Sequence, residues 1–352
     1  MTVLETITQG VYLYRQPIPI PALKHVNTYF ILGDNCLAII DPGMGEEGAR
    51  RLESIIREEG LPELGTVVVT HFHVDHSTAA GFLGHEPILV MGRDDWKWIE
   101  YMVSEWPRPA REVADLYASH GMPRSEADQL TSKHPAFSRI KLFEKLVERY
   151  EPRLLGDNDR VMLCGRSYRV LWVPGHTPGH IALIEEDKAF MIVGDHVLAD
   201  ITPNIPMIIW DLNPLGDYLE SLSKVEEAGA KLLLPGHRRL INEPAKRIRE
   251  LRIHHTRRLC EMLGILLSRP GLTVYEAASQ MTWDVPFKSW SEFPLSQKYF
   301  AHAEALSHAK HLAVSGIIEF YERMGTYRIR VVDEARARSL CKEVWEAEGL
   351  QG

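Results

Sequence analysis

A buried strand that runs directly into a cluster of metal-binding side chains is the feature that most limits the folds open to this chain. Residues 66–70 have the sequence TVVVT, and the six residues that follow, 71–76, contain three histidines and one aspartate. Because alternate residues of an extended segment share a face, His71 and His73 project together, and Asp75 and His76 can turn towards a second point. Imidazole and carboxylate ligands together favour zinc, iron or manganese over calcium or magnesium. The pattern therefore predicts a metal site at the end of a strand.

Three later segments also place a histidine or an aspartate at the end of a strand-like run. His176 and His180 lie in the loop PGHTPGH, in which glycine and proline let the backbone and one imidazole approach an ion closely. Asp195 lies in VGDH, where a carboxylate is suited to bridging two cations, and His237 lies in LPGH. Each of the last two motifs is weak alone, but their order and their placement at strand ends predict one shared site.

The amino-acid composition limits the classes of molecule that the protein is expected to bind. The chain carries 48 acidic and 40 basic residues, a formal net charge of −8, whereas a nucleic-acid binder normally has a basic surplus. A small-molecule substrate is therefore expected rather than a nucleic acid. The N-terminal residues carry no secretory signal, and no apolar run approaches the roughly 20 residues that cross a bilayer, which predicts no membrane span and a cytoplasmic location.

The four cysteines are far apart and form no CxxC pair, so we expect reduced, partly buried thiols rather than a disulfide framework. They are Cys36, Cys164, Cys260 and Cys341.

Strand-like and helix-like segments alternate through most of the chain, which predicts an α/β fold built of layers. Residues 1–245 are expected to form the catalytic domain, with a helical insertion at about 93–150. Residues 246–352 are expected to form a second, mostly helical module. Its last helix-and-ribbon pattern is similar to a winged helix. From residue 251 onward the sequence has 13 basic and 12 acidic residues, a balance that favours packing or homodimer formation over nucleic-acid recognition.

Taken together, these motifs resemble the metallo-β-lactamase superfamily, and within it the glyoxalase II-like hydrolases and the subgroup that carries a winged helix. The resemblance covers roughly residues 10–245 and implies a four-layer αββα sandwich with two metals at one edge. Zinc is the first expectation, with iron or manganese as alternatives. Asp41, in the sequence IDPG, matches the family's early aspartate, which braces the histidine loop. The resemblance implies the following ligands: His71, His73 and His176 for the first metal, Asp75, His76 and His237 for the second, and Asp195 as the bridge between them.

The mechanism that this resemblance implies is hydrolysis by a hydroxide that bridges two metals. Two cations can lower the pKa of a shared water from 15.7 towards about 7. Asp75 would orient this hydroxide and take up its proton. The sequence has no GxSxG elbow and no convincing Cys–His pair, so it gives no support for a covalent route. A complete set of ligands argues against a binding module that has lost its activity.

The sequence says less about the substrate than about the metal site. Trp96 and Trp98 begin an aromatic stretch that is a candidate lining for an apolar pocket, although a helical lid that packs on itself explains the stretch equally well. His196 is a further candidate for substrate contact. A thiolate leaves without protonation, so a thioester or related carboxyl ester with an apolar acyl part is the first prediction. A nuclease or phosphodiesterase acting on single-stranded RNA and a lactonase are the alternatives.

Overall fold

The polypeptide divides into two units, each assembled from several chain segments. The computed structural model describes residues 3–20, 23–187, 189–284 and 287–347. Much of the segment expected as one helical insertion, residues 107–138, belongs to the second unit, and the predicted domain boundary at residue 245 stays a prediction. The first unit comprises Met1–Trp106, Arg139–Pro203 and Glu220–Ile248, and the second comprises Pro107–Ser138, Asn204–Leu219 and Arg249–Gly352.

Two β-sheets make up the framework of the first unit. In chain order its strands are β1 (Glu5–Thr8), β2 (Val11–Pro17), β3 (His25–Gly33), β4 (Cys36–Ile40), β5 (Leu64–Val69), β6 (Ile88–Gly92), β7 (Arg153–Leu155), β8 (Arg160–Leu163), β9 (Arg166–Trp172), β10 (Ile181–Glu185), β11 (Phe190–Gly194) and β12 (Leu232–Pro235). One sheet has the order β1-β2-β3-β4-β5-β6-β7, and the other has the order β12-β11-β10-β9-β8. The strands β4 to β7 run parallel to one another, as do β11 and β12.

The core of this unit lies between the two sheets. Its buried residues recur at every second position, as in the pairs Val11 and Leu13, Tyr168 and Val170, and Ile181 and Leu183. Because successive side chains of a strand point to opposite faces, one face of each sheet packs on the other sheet. The parallel strands are also buried on their outer face, which helices cover. This is the predicted α/β sandwich with the layer order αββα.

Helices alternate with strands along the chain. In chain order the helices are α1 (Gly45–Glu58), α2 (Val74–Ser77), α3 (Arg93–Ser104), α4 (Arg108–Ser119), α5 (Arg124–Ala127), α6 (Leu130–Lys133), α7 (Ile140–Arg149), α8 (Pro214–Ala228), α9 (Pro244–Ser268), α10 (Val274–Ala278), α11 (Leu295–Val314) and α12 (Glu334–Ala347). Five of them, α3 to α7, fall between β6 and β7, which confirms the helical character of the insertion.

The expectation of reduced cysteines was wrong. Cys36 is bonded to Cys164 in the first unit, and Cys260 is bonded to Cys341 in the second. The bonded cysteines lie 128 and 81 residues apart in the sequence, so no local sequence motif predicts either disulfide. The first bond joins the two sheets, because Cys36 begins β4 and Cys164 lies in the turn before β9. Only the packing of the sheets brings those two places together.

The second unit ends in a small antiparallel ribbon, formed by β13 (Ile318–Arg323) and β14 (Thr326–Val331) after α11. Met324 and Gly325 connect the two strands, and both have positive φ, of 54° and 75°. This is the geometry of a two-residue type I′ turn, which matches the twist of a hairpin. A ribbon is therefore present where the sequence predicted one, whereas the winged-helix assignment stays a prediction. In the described part of the chain, no helix combines the length and apolarity needed to span a membrane. The cytoplasmic location also stays a prediction.

Candidate metal centre

Five loops at one edge of the sandwich carry the histidines and carboxylates that the sequence singled out. Two of these loops follow the parallel neighbours β4 and β5, and a third follows β11. The backbone N–H of Ile181, at the start of β10, donates to the carbonyl of Thr70, which ties the edges of the two sheets together. The side chain of Tyr29 and that of Asn27 both donate to the carbonyl of Pro235, at the end of β12. These bonds hold the strand ends of both sheets at one place.

The first group of ligand atoms consists of three histidines. His71 Nε2 lies 3.1 Å from His73 Nδ1, and His176 Nε2 lies 3.0 Å from the same atom. Burial, followed by the neighbouring His76 and His73, holds the pKa of His71 well below its usual range. Burial and His176 lower the pKa of His73 to about 3. His71 and His73 are therefore neutral at physiological pH, which is the form that binds a metal.

The second group combines two histidines with a carboxylate. His76 Nε2 lies 3.1 Å from His237 Nε2, and Asp75 Oδ2 lies 3.3 Å from His237 Nε2. Burial acts to raise the pKa of Asp75, but the charges of His76 and His237 outweigh it and hold the pKa at about 2. Burial acts to lower the pKa of His237, and Asp195 raises it to about 10. The negative charge of this group thus favours bound protons or a bound cation.

Asp195 reaches both groups. Its Oδ2 lies 3.8 Å from His176 Nε2 in the first group and 3.4 Å from His237 Nε2 in the second, and its Oδ1 lies 3.6 Å from His76 Nε2. Burial opposes ionisation of this carboxyl, but His237 and His76 outweigh burial and hold its pKa well below the usual range. A carboxylate in this position can bind two cations at once.

The donor set fits two small divalent cations. Ligands 2.0–2.1 Å from a tetrahedral zinc ion lie about 3.4 Å from one another, close to the separations within both groups. Among the described residues, none forms a hydrogen bond with the buried Oδ1 of Asp195, which leaves an acceptor directed into the site. The described residues contain three groups with ligand atoms within 4.8 Å of one another, and all three lie in this site: His71, His73 and His176; His71, His76 and Asp195; Asp75, His76 and His237.

Asp41 forms hydrogen bonds with the histidine loop. Its Oδ2 lies 2.9 Å from His76 Nδ1 and accepts a hydrogen bond of 2.8 Å from Thr70 Oγ1, while its Oδ1 accepts from the Thr70 backbone N–H. Thr70 Oγ1 in turn lies 3.1 Å from His71 Nδ1. Both imidazoles are thereby oriented so that their Nε2 atoms face the site.

Two further contacts, which sequence analysis did not foresee, orient ligands. The carbonyl of His25 lies 2.6 Å from His237 Nδ1, which leaves Nε2 of that ring for the site. His180 Nε2 accepts the backbone N–H of Asp195 at 3.1 Å, and its ring stacks on His71 at 4.8 Å. Nothing local marks the His25 carbonyl for its role, because any residue could supply it.

Asp95 is the largest omission from the sequence analysis. It lies in the first turn of α3 and is fully buried. Its carboxylate accepts hydrogen bonds from the backbone N–H groups of Phe72 and Gly179 and from Thr177 Oγ1, at 2.8, 2.6 and 2.8 Å. Burial raises its pKa to about 7, against the lowering effect of these three bonds. Acidic residues are common in the first turn of helices, so the sequence does not distinguish Asp95 from other such residues. Only the folded structure shows its hydrogen bonds to the two loops.

The three candidate substrate contacts have different surroundings. His196 is completely buried, and burial lowers its pKa to about 3. Trp96, on α3, is also buried, with 4% of its surface exposed. Trp98 is half-buried and lies 5.7 Å from Tyr101 between ring centroids. Contact of any of these residues with a substrate stays a prediction.

Comparison with known proteins agrees with this geometry. The model of the metallo-beta-lactamase superfamily matches residues 22–237, which contain every candidate ligand. "Probable metallo-hydrolase YqjP" of Bacillus subtilis is 26% identical over 78% of this chain and 85% of its own length. The hydroxyacylglutathione hydrolase GloC of Haemophilus influenzae is 28% identical over 51% of this chain and 69% of its own length. The atrochrysone carboxyl ACP thioesterase of Aspergillus fumigatus is 22% identical over 65% of this chain and 55% of its own length.

Two solved structures are similar over almost the whole chain. A metallo-beta-lactamase family protein from Thermus thermophilus is 28% identical, with a TM-score of 0.75, and the match covers 93% of this chain and all of that one. A beta-lactamase domain protein from Burkholderia ambifaria is 26% identical, with a TM-score of 0.76, covering 94% of this chain and 93% of that one. With a family match over more than half of its length and a buried cluster of metal-binding groups at the sandwich edge, the chain belongs to the metallo-β-lactamase superfamily.

Proposed function

We propose that this protein is a hydrolase that uses two divalent cations to cleave a thioester or a related carboxyl ester with an apolar acyl part. The observation that carries the proposal is the pair of ligand groups with Asp195 between them. Two sets of three ligand atoms, each spaced for one cation, meet at a single carboxylate.

The proposed ligands follow from the two groups. His71, His73 and His176 would hold one cation, Asp75, His76 and His237 would hold the other, and Asp195 would bind both. Neutral imidazole with carboxylate is the donor set that zinc prefers, while iron and manganese accept it as well. When bound, the two cations would supply a water of lowered pKa and a Lewis acid for the substrate carbonyl oxygen.

Asp75 is the proposed catalytic group. Its contacts with His76 and His237 both use Oδ2, which leaves Oδ1 to orient the attacking water and accept its proton. The low pKa of Asp75 keeps the carboxylate ionised, so that Oδ1 can accept a hydrogen bond from the attacking water. The surrounding imidazoles and Asp195 would hold their positions during the reaction, because Asp41, the carbonyl of His25 and Asp95 accept hydrogen bonds that fix their loops.

The thioester proposal has two sources of support. Relatives of this chain carry the names of an ACP thioesterase and of hydroxyacylglutathione hydrolases. A thiolate also leaves without being protonated, so its departure does not require a dedicated general acid. The aromatic residues at the start of α3, Trp96 and Trp98, are the proposed lining for an apolar acyl part. A homodimer remains a prediction about the second unit.

The decisive experiment measures thiol release from a panel of short-, medium- and long-chain acyl thioesters by metal-loaded protein. Wild type is compared with Asp75→Asn and with a matched control, Asp94→Asn, whose carboxylate is partly exposed and paired with Lys97. We expect activity in wild type and in Asp94→Asn, and a loss of about 100-fold or more in Asp75→Asn.

Activity that depends on Asp75 and rises with chain length would support both the reaction and the apolar pocket. Equal rates in Asp75→Asn and wild type would contradict the role of Asp75. Silence of a metal-loaded protein across the whole panel would remove thioesters as substrates, and lactones and single-stranded RNA would be tested next.

A further inference from the structure

Asp95 connects the two loops that carry the first group of histidines. Phe72, whose N–H it accepts, lies between His71 and His73, and Thr177 directly follows His176. A third bond, from the Gly179 N–H, anchors the far end of the second loop. All three bonds go to residues that are not themselves ligands. One carboxylate therefore fixes the backbone on both sides of the first group.

The Asp95 carboxylate does not have the usual role of an acidic residue in the first turn of a helix. Acidic residues in a first helical turn usually serve the N–H groups of their own helix. Here Gly92 is the residue before α3, and no side chain caps that helix. Asp94, the preceding residue, is partly exposed and pairs with Lys97 at 3.0 Å. The two neighbouring aspartates thus have different roles, and that of Asp95 is directed towards the site.

The close approach of α3 to the second loop requires two glycines. A Cβ at Gly92 would lie 1.9 Å from the carbonyl oxygen of Gly179. A Cβ at Gly179 would lie 2.1 Å from the backbone nitrogen of Asp95. No other residue would leave room for this contact. The backbone is therefore built to bring the Asp95 carboxylate between the two loops.

Asp41 and Asp95 divide the bracing of the centre between them. Asp41 contacts His76 of the second group directly and reaches His71 only through Thr70, whereas each bond of Asp95 goes to a loop that carries histidines of the first group. We propose that Asp95 is a positioning residue that sets the separation of His71 and His73 from His176, and through it the affinity of the first group for its cation. This inference rests on the proposed function, since it assumes that the three histidines bind a metal.

The test measures the affinity of each group for Co²⁺ separately, by titration followed through the visible absorption of the bound ion. His237→Ala removes a ligand from the second group and leaves the first complete, and His73→Ala does the reverse. Asp95→Asn is added to each background, because an amide has one acceptor oxygen and must turn an N–H towards one of the two backbone N–H groups. We expect Asp95→Asn to lower the Co²⁺ affinity about 10- to 100-fold in the His237→Ala background, where the first group is complete. In the His73→Ala background the affinity should not change.

Two further variants complete the design. Asp94→Asn is the matched control and should leave both affinities unchanged. Thr177→Val removes one hydrogen bond to Asp95 and keeps the shape of the side chain, so a loss of about fivefold is expected for the first group. If Asp95→Asn does not fold, Thr177→Val alone decides the question.

The outcomes separate this inference from the proposed function. Unchanged Co²⁺ affinity of the first group in Asp95→Asn would overturn the inference, and so would equal losses in both backgrounds, which would indicate general destabilisation. A wild type that binds two ions per chain but hydrolyses no ester would contradict only the proposed function. A wild type that binds no ion would overturn both.

Discussion

Both units bury clusters of histidines, but the two clusters have opposite electrostatic surroundings. In the first unit, Asp195 raises the pKa of His237 to about 10 against the effect of burial. In the second unit, burial dominates and lowers the pKa values of His302 and His308 to about 3. Among the described residues, all three groups that could hold a metal ion lie in the first unit. Burial of histidine is therefore not what marks a metal site.

The contacts of the second cluster explain the difference. His308 Nδ1 lies 2.7 Å from the carbonyl of Glu304, so Nδ1 carries the proton and Nε2 accepts from His255 Nδ1 at 3.2 Å. His302 lies between the rings of Tyr117 and Tyr275. These are neutral side chains that pack and bond within a helical core. A histidine cluster becomes a metal site when strand ends converge and carboxylates lie among the rings.

The largest expected effect comes from replacing one histidine in each cluster. His71→Ala removes a ligand, so hydrolysis should fall about a thousandfold or more, since the chemistry supplied by a metal is worth several kcal/mol. His308→Gln is the matched change in the second unit, and turnover should stay within about threefold of wild type because the sites are independent. Initial rates and metal content per chain measure both effects. Near wild-type turnover in His71→Ala would contradict the site assignment.

The two disulfides offer a comparison of the units themselves. Replacing Cys36 and Cys164 by alanine should lower the free energy of unfolding by about 2–5 kcal/mol, and so should replacing Cys260 and Cys341. The loss should be greater by about 0.4 kcal/mol for Cys36 and Cys164, because the chain segment that their disulfide closes is longer. Urea unfolding of both double variants, with and without reductant, measures the difference. A wild type whose midpoint does not respond to reductant would contradict the presence of both bonds.

The smallest effect, counted per pH unit, is on the pH dependence of stability. Burial gives His302 a folded-state pKa of about 3, below the ordinary value of 6.5, so the unfolded chain binds its proton first as the pH falls. Stability is then complete above about pH 6.5 and decreases by about 1.4 kcal/mol per pH unit for this residue, down to its folded-state pKa. His302→Phe should flatten the slope by that amount. Urea unfolding between pH 4 and 6.5 tests this, and an unchanged slope would contradict a buried neutral His302.

Much of the fold could be predicted because it depends on local patterns. The alternation of buried residues in Val11 and Leu13 indicates a strand with one face in a core, and the turn at Asp34 and Asn35 sets the register of β3 and β4. The candidate ligands stand directly after such strands, so their convergence could be predicted as well. Their role as ligands stays a prediction, although the structure brings all seven side chains together.

What could not be predicted depends on residues that meet only in the folded chain. Cys36 and Cys164 are joined across two sheets, and no spacing in the sequence relates them. Asp95 has the appearance of an ordinary helix-start residue until α3 is packed against the loop at Gly179. The division of residues 93–150 between two units likewise depends on the surface against which each helix packs.

The sequence by itself determined the identity and order of the candidate ligands, because strand periodicity and the loops that follow each strand are encoded within a few neighbouring residues. The tertiary structure alone decided which buried groups hold those side chains in place. The carbonyl of His25, the ring of His180 and the carboxylate of Asp95 act across distances in sequence of 15 to 212 residues. Hydrogen bonds need contact within about 3 Å, and only the pairing of strands and the packing of the two sheets supply that contact.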